Sequence, residues 1–212
     1  MSLPPRLDAV RRPAIVAAAA ELIRERGLEN TRVADVAERA GTTTPSVLYW
    51  FASKGELLTI ALTAAEETFY QQLDASLAGL DSARDRLVRL IESATGTGDY
   101  DAALWIDLWA KALRDEELAG IREQLDLRWR RTIAAIVSEG QDAGEFGRAD
   151  ADELALMLAA LLDGFSVLIA LGDPEGTAER ARELCLRLAG RELGCDLQPA
   201  VGWHPEHSQP LR

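Results

Sequence analysis

"RVADVAERAGTTTPSVLYWFASKGELL", residues 32–58, decides how this chain is read. It holds a short amphipathic run, a glycine, three consecutive threonines, a proline and then Val-Leu-Tyr-Trp-Phe. Val33, Val36, Ala37 and Ala40 recur at helical spacing, with Thr31 placed to cap that helix. Gly41 stops it, because glycine accepts the positive φ of a tight turn. Thr44 as N-cap and Pro45 in the first turn open a third helix, whose inward pair is Val47 and Phe51. Ser53 and Glu56 form an S-x-x-E capping box that opens a fourth helix, predicted to run to about Leu77. A short helix, a glycine turn and a capped helix in this order make a helix-turn-helix.

That device places its second helix in the major groove and offers first-turn side chains to base edges. Thr42, Thr43, Thr44 and Ser46 carry hydroxyls for that purpose, and the threonine methyls can pack on a thymine methyl. Tyr49 can donate to a phosphate. Lys54, at the mouth of the next helix, adds an ammonium to the helix N-terminal N–H groups.

Working outward, Pro13 suits the first turn of a helix whose stripe is Ile15, Ala18, Ala19 and Leu22, and Gly27 ends it. Towards the C-terminus the pattern is helix after helix. "DSARDRLVRLIESA" opens on a capping box and breaks at Gly96-Thr97-Gly98. "DYDAALWIDLWAKAL" is helical, a long helix is expected over 116–140, and an apolar one over 152–171. Asp173-Pro174 is expected to start the last helix, predicted over 174–189. The segment 193–212 reads as a flexible tail, rich in proline and polar residues. With no strand signal and no repeat, the fold class is all-α.

Composition narrows the function. The 212 residues are 48% hydrophobic and 27% charged, with a net charge of −12, enough for a real core in a soluble protein. Residues 1–58 carry eight Lys/Arg against seven Asp/Glu, a balance of +1, whereas residues 59–212 stand at −13. A nucleic-acid contact therefore belongs to the first quarter, since phosphate binding needs facing positive charge. The two cysteines, Cys185 and Cys195, form no metal or disulfide pattern, and "MSLPPRLDAVRR" has no apolar leader core, so a cytoplasmic protein is expected. His204 and His207 flank a proline, and no catalytic set or phosphate loop is present, so neither a metal, a cofactor nor an enzyme is expected. The apolar run 154–171 contains Asp163 and Gly164, which argues for a buried helix rather than a membrane span.

The run "TRVADVAERAG…PSVLYWFASKGELL", with the preceding "AAAELIRERG", resembles the DNA-binding domain of TetR-family transcriptional regulators. The likeness is close over about residues 10–60 and extends in outline to the whole chain. It implies an N-terminal helix-turn-helix domain (8–58) followed by a helical effector-binding and dimerisation domain (59–192), about nine helices in all. It further implies a dimer, joined through the last two helices, that binds a palindromic double-stranded operator and leaves it when a small molecule is bound. Carried over by position, Thr43, Thr44, Ser46, Tyr49, Trp50 and Lys54 fall where such regulators touch bases or phosphates. Thr31 and Arg32 fall where the second helix meets the backbone. The family usually has tyrosine where this chain has Leu48. Either Tyr49 and Trp50 take over its role, or Leu48 is core.

The remaining chain would hold the effector. Tyr100, Trp105, Trp109, Trp129, Met157 and Phe165 are candidate walls, and Asp101 shares a helical face with Trp105. "RWRRTIAAIVSEGQDAGEF…LLDGF" also resembles a subgroup that contains a choline-responsive regulator. Aromatics near a carboxylate suit a cation, and a neutral apolar ligand is the other reading. Asp163 is either a ligand group or a hydrogen-bonding residue at the dimer interface. The rival to a regulator is a helical interaction module that no longer binds DNA.

Overall fold

The structure is a computed structural model that describes residues 5–96 and 102–197. Among them run nine α-helices and no strand: α1 (Pro5–Asn30), α2 (Val33–Arg39), α3 (Thr44–Trp50), α4 (Lys54–Leu77), α5 (Ala83–Thr95), α6 (Ala102–Ala112), α7 (Glu116–Asp142), α8 (Ala151–Ala170) and α9 (Ala178–Leu193). Tyr100, Asp101 and most of the expected tail lie outside the described residues.

The chain divides into two compact units. The first comprises Met1–Tyr70 with Ala103–Arg122, and the second Gln71–Ala102 with Glu123–Arg212. In the first unit α1 packs on α2 and α2 on α3. Ile15, Leu22, Val36, Val47, Phe51 and Leu57 are buried in its core. The Arg12 guanidinium lies 5.5 Å from the centre of the Phe51 ring, a cation–π contact on the rim of that core.

In the second unit α5, α8 and α9 pack on one another. Glu145, in the α7–α8 loop, accepts from the Ser82 hydroxyl (2.7 Å) and from the N–H groups of Ala83 and Arg84. It thereby satisfies the open N-terminus of α5. Those bonds, the Ser82 hydroxyl first, hold its carboxyl below the usual range. Phe146 lies against α7 at Gly140, where any Cβ would meet the ring at 2.2 Å. Asp150 caps α8 by accepting the N–H groups of Asp152 and Glu153. By length and composition α8 could cross a membrane. Here Leu154, Ala155, Leu158 and Leu162 bury one side of it, and it packs against α5 and α9.

Four boundaries differ from expectation. The first helix starts at Pro5 with Pro13 inside it; a proline forfeits one backbone donor there but does not forbid the preceding turns. The cap of α2 is Arg32, without a side-chain bond, because the Thr31 hydroxyl points back to α1. The cap of α3 is Thr43, one residue before the expected Thr44, and Pro45 follows in its first turn. The last helix begins at Ala178, capped by Thr177, which accepts the Arg180 N–H at 3.2 Å. Asp173 and Pro174 form the turn before it, the Asp173 carboxylate accepting the Glu175 N–H.

Candidate nucleic-acid interface and ligand-binding residues

The helix-turn-helix begins where α1 ends. Gly27, at φ 79 and ψ 167, breaks the helical path. The carbonyls this exposes are taken up by side chains: Asn30 donates to Arg26, the Thr31 hydroxyl to Gly27 at 2.8 Å, and the Lys54 ammonium to Glu29 at 3.1 Å. The Leu28 N–H donates to the Asp107 carboxylate of α6, within the same unit. Thr31 is 1% exposed, so its side chain offers nothing to a ligand. Lys54 keeps two of its three donors for other partners.

Helix α2 is clamped onto α1. Arg39 donates to Glu25 with both terminal nitrogens, at 2.9 and 2.8 Å, and to Glu21 at 3.1 Å. This guanidinium holds the Glu25 carboxyl below the usual range. Arg26 pairs with Asp35 at 3.4 Å. Arg32 is exposed and has no ion pair among the described residues.

The turn closes in two bonds, Gly41 N–H to Glu38 and Thr42 N–H to Ala37, with Gly41 at φ 62. This is a Schellman ending, and the positive φ is the reason a glycine is needed. Thr43 then starts α3, its hydroxyl oxygen accepting the Ser46 N–H and lying 3.3 Å from the Ser46 hydroxyl. Val47 and Phe51 face inward, fully buried. Tyr49 is 77% and Leu48 50% exposed, so Leu48 is not core. The Tyr49 and Trp50 rings meet edge to face at 5.2 Å. Beyond α3, Ser53 accepts the Glu56 N–H and Glu56 reaches back to the Ala52 N–H at 2.6 Å, a reciprocal box. The first unit thus brings Arg32, Thr42, Thr43, Thr44, Ser46, Tyr49, Trp50 and Lys54 onto α2, its turn, α3 and the start of α4.

The candidate ligand residues divide between the units. Trp105 and Trp109 lie on α6 in the first, both half-buried, and Trp129, Met157, Asp163 and Phe165 lie on α7 and α8 in the second. Phe165 is buried, whereas Met157 is 37% exposed. Burial, and then the negative charge of Asp126, push the Asp163 carboxyl up to about 7. Asp126 is a residue that sequence reasoning missed, although it stands three residues before Trp129 and so shares its helical side. A groove of about 730 Å³ runs along α9 past Arg187, Arg191 and Leu197 and contains none of the candidate ligand residues. Among the described residues no cluster of three metal-binding side chains occurs.

Residues 15–59 match the family described as bacterial regulatory proteins, tetR family, and residues 83–194 match the C-terminal part of BetI-type transcriptional repressors. The chain belongs to the TetR family. It is a transcriptional regulator with a DNA-binding helix-turn-helix and a ligand-binding domain, and not an enzyme. The TetR-family relatives include the HTH-type transcriptional regulator BetI of Escherichia coli K12, 26% identical over 90% of this chain and 97% of that one. A transcriptional regulator from Saccharomonospora viridis, solved in complex with choline, is 31% identical, with a TM-score of 0.75 over 84% of this chain and 94% of its own. A TetR-family regulator from Rhodococcus sp. is 29% identical, with a TM-score of 0.76 over 86% and 98%.

Proposed function

We propose that this regulator is a cytoplasmic repressor that binds a palindromic operator as a homodimer and releases it when a small organic cation occupies the C-terminal domain. The observation that carries the DNA part is the exposed face of α3, with Leu48 and Tyr49 in solvent opposite a sealed Val47–Phe51 side. Arg32, Thr42, Thr43, Thr44, Ser46, Tyr49, Trp50 and Lys54 are the contacts. Arg32 supplies unpaired charge for a phosphate, and the buried Thr31 acts only by closing α1. DNA-binding functionality rests with residues 8–58, whatever the packing of the units.

Dimerisation is supported by α8. Leu156, Met157, Ala160 and Gly164 are exposed at helical spacing, a stripe of apolar and small residues that solvent would leave costly and a second α8 can cover. A two-fold dimer also fits a palindrome, with half-sites one helical turn or a multiple apart.

The cation is supported by Asp163, whose ionisation is made costly inside the second unit by burial and then by the negative charge of Asp126. A positive ligand relieves that cost, and within this unit Trp129 of α7 and Phe165 of α8 would supply aromatic walls. The choline bound by the Saccharomonospora relative is of this class. The test is selection of duplexes from a random pool without ligand, followed by titration of choline into the complex. An enriched palindrome released by choline supports the reading. Enrichment without release sinks the cation, and no enrichment sinks the repressor.

A further inference from the structure

We propose that Leu48 is a specificity-determining residue that reads the C5-methyl group of a thymine in each operator half-site. This rests on the DNA-binding reading above and goes beyond it. With Val47 and Phe51 fully buried, the 3.6-residue period turns Pro45, Leu48 and Tyr49 away from the core. Between Thr42 and Ala52 there is no Asn, Gln, Arg or Lys, the side chains that grip adenine or guanine edges with paired hydrogen bonds. Thr43 and Ser46 already engage each other across the cap. Beside the Tyr49 phenol, α3 presents the apolar Pro45 and Leu48 outward, and the apolar feature of the major groove is the thymine methyl. Leu48 is half-exposed on a helix whose other side is sealed by Val47 and Phe51. Its exposure is costly in the free protein and is recovered when a methyl group covers it.

The experiment uses the full chain and the duplex it selects. Each thymine is replaced in turn by deoxyuridine, which removes one methyl and no hydrogen-bonding group. At one thymine per half-site the wild type should bind about fourfold more weakly, the worth of one methyl-sized group removed from water. Leu48→Ala should bind the thymine and uracil duplexes alike, and Leu48→Met should keep the discrimination. Helical content and melting temperature of Leu48→Ala should match wild type, because the side chain is outside the core. If Leu48→Ala keeps the fourfold preference, or no uracil weakens the wild type, the inference falls while DNA binding stands. If no duplex is selected at all, the DNA-binding reading falls and takes this inference with it.

Discussion

Helices α3 and α8 both hold large apolar side chains in solvent, Leu48 and Tyr49 on one, Leu156 and Met157 on the other. In α3 the surroundings explain the exposure. Seven residues are fixed from both ends, by the Schellman turn with its Thr43 cap and by the buried Val47 and Phe51. The outward face is thereby held in a set orientation, with Leu48 and Tyr49 exposed. In α8 the exposed stripe is part of a twenty-residue helix that is apolar nearly all round, and its centre is made of small residues, Ala160 and Gly164. A face of small residues lets another helix approach closely, which large side chains would prevent. On the reading proposed above, one helix would enter a groove and the other would meet its like.

The sharpest way to break that contrast is to charge the stripe. Leu156→Glu with Ala160→Glu should turn the dimer into a monomer at micromolar concentration, read by light scattering. Operator affinity should fall by more than a hundredfold as the second half-site is lost. A dimer that survives both carboxylates would mean that α8 is exposed for some other reason. The complementary change is Arg32→Ala with Tyr49→Ala on the first unit. It should lower operator affinity about a hundredfold, with helical content unchanged, since both side chains are exposed. Losing one phosphate contact should also flatten the logarithmic salt dependence by roughly one unit. Unchanged binding would remove this face of the first unit from the interface.

How much of this was legible in advance follows the same division. Local chemistry wrote the helix-turn-helix: Gly41, the threonines, Pro45 and the Ser53–Glu56 box each act within four residues, so the order of elements and the end of α4 at Leu77 could be read directly. The errors there are of one residue, because three successive threonines compete for one cap and only the backbone turn selects Thr43. Thr31 departs from expectation for a reason just as local in sequence but set by the backbone break at Gly27. Its hydroxyl is claimed by Gly27 after α1 breaks, which no propensity shows. The setting of the candidate ligand residues was less legible still. Trp105 and Trp109 belong to one compact unit and Trp129 and Asp163 to another, and the neighbour that raises the Asp163 carboxyl, Asp126, is 37 positions away in the chain.

Asp163 also makes the second unit sensitive to pH. Its folded value of about 7 lies above its ordinary 3.8, so the folded protein keeps a proton that the unfolded chain gives up. Stability should therefore fall as pH rises from about 4 to about 7 and be level above that. The shift sets a ceiling of about 4 kcal/mol, at 1.36 per unit. Solvent that still reaches the half-buried carboxyl reduces this, leaving roughly 2 kcal/mol. Asp163→Asn should thus raise the melting temperature at pH 8 by several degrees and have little effect at pH 4. A gain of equal size at both values would show that packing, not charge, is what the substitution changes.

The smallest effect tests the smallest correction. Thr43→Ala removes the hydroxyl that accepts the Ser46 N–H and should cost about 1 kcal/mol of stability. Thr44→Ala leaves that bond in place and should cost a few tenths at most. Denaturant unfolding of the two variants separates them, and the reverse order would restore Thr44 as the cap. The pair also weighs two roles against each other. A hydroxyl committed to the cap is less available to a base, so Thr43→Ala should weaken the operator complex through fraying of α3, equally for every base at the contacted positions. Thr44→Ala, free of that duty, should weaken it at particular base pairs only. If Thr43→Ala instead relaxes sequence preference at a single base pair, the cap bond is broken in the complex and Thr43 is reading DNA itself.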